Sequence, residues 1–74
     1  MLGMDIRRVV GLNVRKFREK NGWSQEELAD RSGIHRTYIS GVERGIRNPT
    51  VTIISILAGA LGVIADELLV EKEP

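Results

Sequence analysis

The chain has 74 residues, of which 42% are hydrophobic, with one Trp, one Tyr and one Phe. A chain of this length forms one domain, residues 1–74, with one small core and no large substrate cavity. It has no Cys and one His. This composition excludes disulfides and thiolate metal sites, and a lone His cannot assemble a zinc site. We therefore expect neither a metal nor another cofactor.

The charge is divided unevenly along the chain, although its net value is only +1. Residues 1–49 carry ten Lys or Arg against six Asp or Glu, a net +4, whereas residues 50–74 carry one against four, a net −3. An anionic partner would therefore meet the first two thirds of the chain. Such asymmetry also arises by chance in small domains, so charge alone does not identify that partner.

The apolar stretch between residues 51 and 64 is interrupted by Thr52, Ser55 and several glycines. It is shorter than the about 20 residues that a membrane-spanning helix needs. Together with the absence of Cys, this predicts a cytoplasmic protein without membrane contact.

Hydrophobic spacing predicts helices throughout, and no alternating segment predicts a strand. The apolar face of the first helix consists of Ile6, Val10, Val14 and Phe17. This helix ends near Asn21 and Gly22. The second helix begins at Gln25, because Ser24 suits the N-cap and Glu27 completes a capping box. It ends before Gly33.

The third helix starts after His35, reaches Arg44 and stops at Gly45, and Pro49 prevents further helix in the loop that follows. Thr50 caps a fourth helix that ends at Gly62. The core stripe of this helix is Val51, Ile54, Leu57, Ala58 and Leu61. Residues 66–70 allow one more short helix. The predicted fold class is all-α.

The second and third helices form the corner of the predicted fold, over residues 24–45. They are joined at Gly33, and Ala29 is small enough for a close crossing, as in a helix-turn-helix unit. An ordinary corner in a helical bundle has similar spacing, so the pattern leaves both interpretations open.

The segment "SQEELADRSGIHRTYISGVERGIRNPT", residues 24–50, resembles the phage Cro/repressor, or Xre, type of helix-turn-helix domain. The resemblance extends from about Val10 to Leu69. Within that family, "RTYISGVERGIRN" is similar to controller proteins of restriction-modification systems. The resemblance implies a compact, lambda-repressor-like bundle of five helices, operator binding as a dimer and control of transcription. Such a regulator acts by occupying an operator and excluding or recruiting RNA polymerase.

The third helix is the expected recognition helix. If Ile39 and Val42 hold it to the core, residues near its N-terminus point into the major groove. The predicted base contacts are Arg36, Thr37 and Ser40. The predicted phosphate contacts are Gln25, Tyr38, Arg44, Arg47 and Asn48. Each of these side chains could instead simply be solvated. Gly41 either permits close approach to DNA or is merely tolerated in the helix, where it costs about 1 kcal/mol relative to Ala.

The resemblance also implies a structural ion pair between Arg18 and Glu43, which would fix the recognition helix against the first helix. The alternative is two independent surface charges with little effect on stability.

A second apolar stripe on the fourth helix predicts a dimer interface within residues 50–70, because one helix cannot bury two stripes in so small a domain. The predicted interface residues are Ile53, Ile56, Ala60, Ile64 and Leu69. A wider helix contact inside the monomer is the alternative. A two-fold homodimer would bind a pseudo-palindromic double-stranded DNA operator.

No Ser/His/acid set, carboxylate pair in an apolar cleft or phosphate-binding Gly loop is present, so we do not expect an enzyme. The second function class is a protein-interaction module, such as an antitoxin or adaptor on the same scaffold. Such a module would carry apolar or aromatic groups at the positions of Arg36, Thr37 and Ser40.

Overall fold

The computed structural model describes residues 5–71, which form five helices joined by short turns and loops. The helices are α1 (Ile6–Lys20), α2 (Gln25–Ser32), α3 (Arg36–Glu43), α4 (Val51–Leu61) and α5 (Asp66–Leu69). Residues 5–71 contain no strand, which confirms the predicted all-α fold. The ends of the predicted domain, residues 1–4 and 72–74, lie outside the described residues.

Side-chain caps fix where the helices of the corner and α4 begin. The hydroxyl of Ser24 accepts a hydrogen bond from the backbone N–H of Glu27 at 3.0 Å, and that of Thr50 accepts from Ile53 N–H at 3.1 Å. The carboxylate of Glu27 accepts from Arg31 Nε at 2.7 Å, so only one half of the predicted capping box forms. At the end of α2, Gly33 has φ +75°, a conformation that suits Gly, and the chain turns into α3 as predicted.

The core lies where all five helices meet. Its buried members are Val10, Val14, Leu28, Ile34, Ile39, Val42, Ile54, Leu57, Ala58, Leu61 and Leu68. These include the predicted core residues of the corner, two of the four predicted for α1 and four of the five predicted for α4. Phe17, also predicted for α1, is half-buried and packs against this core. The prediction was wrong for Ile6 and Val51, which are 51% and 83% exposed. Each is the first residue of its helix, where the helical repeat continues but no neighbouring element covers the side chain.

α1 packs against α3, α4 and α5. It approaches the end of α3 at Gly11, where a Cβ would lie 2.8 Å from the carbonyl oxygen of Glu43 and would collide with that of Val42. Two residues further, the buried amide of Asn13 donates to the carbonyl oxygens of Leu68 and Val70, both at 3.0 Å. α1 therefore holds α3 and α5 through contacts within one helical turn.

Candidate nucleic-acid interface

At its start, α3 is exposed on one side, whereas its other side is buried in the core. Ile39 and Val42 have no exposed surface, but Arg36 and Thr37 are exposed and Ser40 is half-buried. Helical spacing places residues 36, 37 and 40 within an arc of about 100°. The structure therefore brings the three predicted base-contacting residues to one side of the predicted recognition helix.

His35 caps this helix. Its Nδ1 accepts a hydrogen bond from the backbone N–H of Thr37 at 3.1 Å, and its carbonyl oxygen accepts from Ile39 N–H at 3.1 Å. These two hydrogen bonds satisfy backbone N–H groups in the first turn of α3, the turn that carries the exposed residues Arg36 and Thr37. The exposed imidazole of His35 thus fixes the backbone conformation at the start of α3.

Arg47, from the loop after α3, lies back across that helix. Its guanidinium carbon is 5.3 Å from the centroid of the Tyr38 ring, within the range of a cation–π contact. A Cβ at Gly41 would lie 2.5 Å from the Cγ of Arg47. Gly41 thus makes room for the Arg47 side chain, a role that neither interpretation of its sequence position included.

The other predicted phosphate-binding residues fall into two groups. Arg44 and Asn48 are exposed around the loop that leaves α3, near Arg47. Gln25 is different, because its side-chain amide donates to Glu43 Oε1 at 3.1 Å. The side-chain amide of Gln25 is therefore engaged inside the protein, and the group left for the predicted phosphate contact is its backbone N–H in the first turn of α2, where helix N–H groups and the helix dipole favour an anion.

Arg18 and Glu43 form an ion pair that joins α1 to the last residue of α3. Arg18 Nε and Nη2 donate to the two carboxylate oxygens of Glu43 at 2.7 and 2.9 Å, and Nη1 donates to the carbonyl oxygen of Trp23 at 2.8 Å. The side chains of Arg18 and Glu43 are only 11% and 4% exposed. Hydrogen bonding to Glu43 raises the pKa of Arg18. The pair is therefore structural, and the alternative of two independent surface charges is wrong.

Gly11 was not predicted as a functional residue, although it determines how closely α1 approaches α3. The available signal was a Gly in the interior of a helix, which is unfavourable by about 1 kcal/mol relative to Ala and suggests a packing reason. The signal did not identify the partner, because the contact joins residues more than thirty positions apart.

The predicted dimer face is only partly exposed. Ile56, Ile64 and Leu69 are 40%, 65% and 42% exposed, so their apolar side chains lie on the surface of the single chain. Ile53 and Ala60 are half-buried and pack against the core instead. Ile53 and Ala60 therefore contribute to the core of the single chain, and the exposed residues Ile56, Ile64 and Leu69 remain the predicted interface.

Residues 5–71 show neither a membrane-spanning helix nor a cluster of metal-ligating side chains. No helix in this range is long and apolar enough to cross a membrane. The same residues contain no cluster of three or more His, Cys, Asp or Glu side chains that could hold a metal ion.

Comparison with known proteins identifies the family. A family model described as "Helix-turn-helix" matches residues 14–68, which is most of the chain. The chain belongs to this helix-turn-helix family. This membership decides between the two interpretations of the corner that the sequence left open, and it confirms the resemblance drawn from residues 24–50.

Individual relatives of this helix-turn-helix chain include restriction-modification controllers. Control protein C.SmaI of Serratia marcescens is 48% identical over 69 residues, covering 93% of this chain and 82% of the relative. The solved structure of the controller C.AhdI of Aeromonas hydrophila superposes with a TM-score of 0.81 at 44% identity, covering 84% and 94% of the two chains. That of SinR, a master regulator for biofilm formation in complex with DNA, gives 0.79 at 29% identity, covering 82% and 98%.

Proposed function

We propose that this protein is a sequence-specific transcription regulator, of the restriction-modification controller type, that binds a pseudo-palindromic DNA operator as a homodimer. The observation that carries the proposal is the exposed pair Arg36 and Thr37 on the first turn of α3, a helix whose other side is fixed in the core. Its relatives C.SmaI and C.AhdI are named as control and controller proteins, and SinR is described in complex with DNA.

Sequence is read by the start of α3 in the major groove. Arg36 donates two hydrogen bonds to O6 and N7 of a guanine, the commonest specific contact of an arginine with DNA. Thr37 meets a thymine methyl group or a base-edge hydrogen-bonding group, and Ser40 lies one turn further along. An interaction module would carry apolar groups here, so these side chains favour DNA over the antitoxin or adaptor alternative.

Phosphate contacts surround the recognition helix and set its position on the duplex. Arg44, Arg47 and Asn48 hold one strand near the end of α3, with Tyr38 beside them. The backbone N–H groups at Gln25 hold a phosphate at the start of α2. These contacts supply most of the affinity and its salt dependence, but no sequence preference.

The homodimer forms through α4 and α5. Ile56, Ile64 and Leu69 are apolar and exposed in the single chain, and a two-fold contact buries them against their symmetry mates. The two recognition helices then lie about 34 Å apart, one turn of DNA. The regulator acts in the cytoplasm, without catalysis, by blocking or recruiting RNA polymerase at the promoter.

Selection from a random duplex library tests this function. We expect the wild-type protein to enrich a sequence with two inverted half-sites about one helical turn apart. A match to that sequence should lie upstream of its own gene or of a neighbouring restriction endonuclease gene. Binding without enrichment of any sequence would contradict the proposed function, and enrichment without such a match would contradict only the controller assignment.

A further inference from the structure

The first turn of α1 lies beside the end of the recognition helix. A methyl group at Gly45 would lie 3.5 Å from the Cα of Arg8 and 3.1 Å from its Cγ. Gly45 directly follows Arg44, the C-cap residue of α3. Arg8, Leu12, Glu43 and Arg44 line a small notch of about 60 Å³ between the two helices. Two arginines that are 36 positions apart in sequence are thus brought to one place.

The charge around this notch is positive. Arg8 and Arg44 are both exposed, and neither forms an ion pair with an acidic side chain among residues 5–71. Glu43 does not offset them, because both of its carboxylate oxygens accept hydrogen bonds from Arg18 and it is 4% exposed. Asp5, the acidic residue nearest to Arg8 in sequence, is bound by Arg7 at 2.9 Å. Hydrogen bonding to Arg7, with a smaller contribution from the charge of Arg8, lowers the pKa of Asp5 to about 2, so Asp5 offsets part of the charge of Arg8 from a distance.

We propose that this notch binds a phosphate of the operator backbone, so that the DNA contact extends from α3 onto α1. The inference rests on the proposed function, because the DNA backbone passes the C-terminal end of α3 only if α3 lies in the major groove. Paired guanidinium groups suit phosphate oxygens in charge and geometry. Leu12, which is 47% exposed, supplies an apolar wall beside the adjoining sugar.

Arg7 provides a matched control for Arg8. The two residues are adjacent and carry the same charge, but they lie about 100° apart on α1 and Arg7 is paired with Asp5. Operator affinity of the Arg8→Ala and Arg7→Ala variants is measured over a series of salt concentrations. We expect the slope of log affinity against log salt to fall by about 0.9 for Arg8→Ala and to stay unchanged for Arg7→Ala. Arg8→Lys should retain the slope, and base preference should not change in any of the three.

The outcomes separate this inference from the proposed function. If the wild-type protein shows no salt-dependent binding to the duplex, the proposed function fails. If Arg44→Ala lowers the slope but Arg8→Ala behaves like Arg7→Ala, only the α1 contact is overturned. A lower melting temperature with an unchanged slope would assign Arg8 to packing at the end of α3 and overturn the inference. Normal DNA binding with lost transcriptional control would also overturn it, in favour of an acidic protein partner.

Discussion

Arg18 and Glu43, 25 residues apart in sequence, meet through two parallel hydrogen bonds of 2.7 and 2.9 Å in a place where neither side chain is more than 11% exposed. Gln25 adds a third hydrogen bond to the same carboxylate. The pair therefore joins α1, the start of α2 and the end of α3. Both helices of the corner are thus held to α1 through the Glu43 carboxylate.

We expect Arg18→Ala to lower the free energy of unfolding by about 3 kcal/mol, because it leaves the Glu43 carboxylate buried without its main partner. Urea denaturation measures this. Arg15→Ala is the control, since Arg15 and Glu19 form an ion pair whose side chains are 60% and 55% exposed. Exposed pairs contribute about 1 kcal/mol or less. Equal losses in the two variants would show that the buried pair has no special role.

Gly11→Ala should disturb the position of the recognition helix. The new methyl group would meet the carbonyl oxygens of Val42 and Glu43, which are backbone atoms and cannot move aside without shifting a helix. We expect a loss of about 1–3 kcal/mol in unfolding free energy, as in overpacked cores. Gly59→Ala is the control, because a Cβ there has no atom outside its own helix within 4 Å and the change should stabilise α4. A neutral or stabilising effect of Gly11→Ala would contradict the close crossing.

The sequence predicted local features better than contacts between helices. Ser24, Thr50 and Gly33 specify helix ends through their own backbone neighbours, and all three were placed correctly. Gly11 and Asn13 could not be interpreted in this way, because their partners lie on other helices far along the chain.

The candidate site shows the same division. The exposure of Arg36 and Thr37 follows from helical periodicity, and the pairing of Arg18 with Glu43 was available only through the family resemblance. The contact between Arg47 and Gly41 depends on the path of the loop after α3, which helical periodicity does not determine.

Arg36→Ala should relax base preference at one position in each half-site, at a cost of about 1–3 kcal/mol in binding free energy, because a bidentate guanine contact is lost. Competition binding with operators changed one base pair at a time measures this. Arg47→Ala serves as the comparison and should weaken specific and random duplexes alike. Equal weakening of all sequences by Arg36→Ala would make Arg36 a phosphate contact only.

Gly41→Ala should separate stability from DNA binding. Ala is favoured over Gly in a helix by about 1 kcal/mol, which offsets the cost of moving the exposed Arg47 side chain, whose Cγ would lie 2.5 Å from the new methyl group and must change rotamer. We therefore expect stability to be unchanged or slightly higher. Operator affinity should fall and the salt slope should drop by about 0.9, because Arg47 leaves its place over the Tyr38 ring. Unchanged affinity would mean that the contact of the Arg47 side chain with Gly41 does not position Arg47 for DNA binding.

Ile56→Asp should give a folded monomer with much weaker operator binding, because it places an unpaired carboxylate in the α4 and α5 interface. Sedimentation velocity measures the assembly state, and thermal unfolding checks the fold. Ser55→Asp is the control, since this neighbouring residue is exposed but points away from the second stripe. An Ile56→Asp protein that still dimerises, or a wild-type protein that is monomeric at micromolar concentration, would rule out this interface.

The contacts of Gly11 with α3 and of Asn13 with α5 lie only two residues apart on α1. In the proposed dimer through α4 and α5, the angle between each recognition helix and the two-fold axis therefore depends on how α1 packs against α3 and α5 inside each subunit. The length of operator that such a dimer accepts is accordingly a property of core packing. In the proposed complex, side chains at the start of α3 would select the bases, whereas Gly11 and Asn13, which are buried within the subunit, would influence how far apart those bases lie.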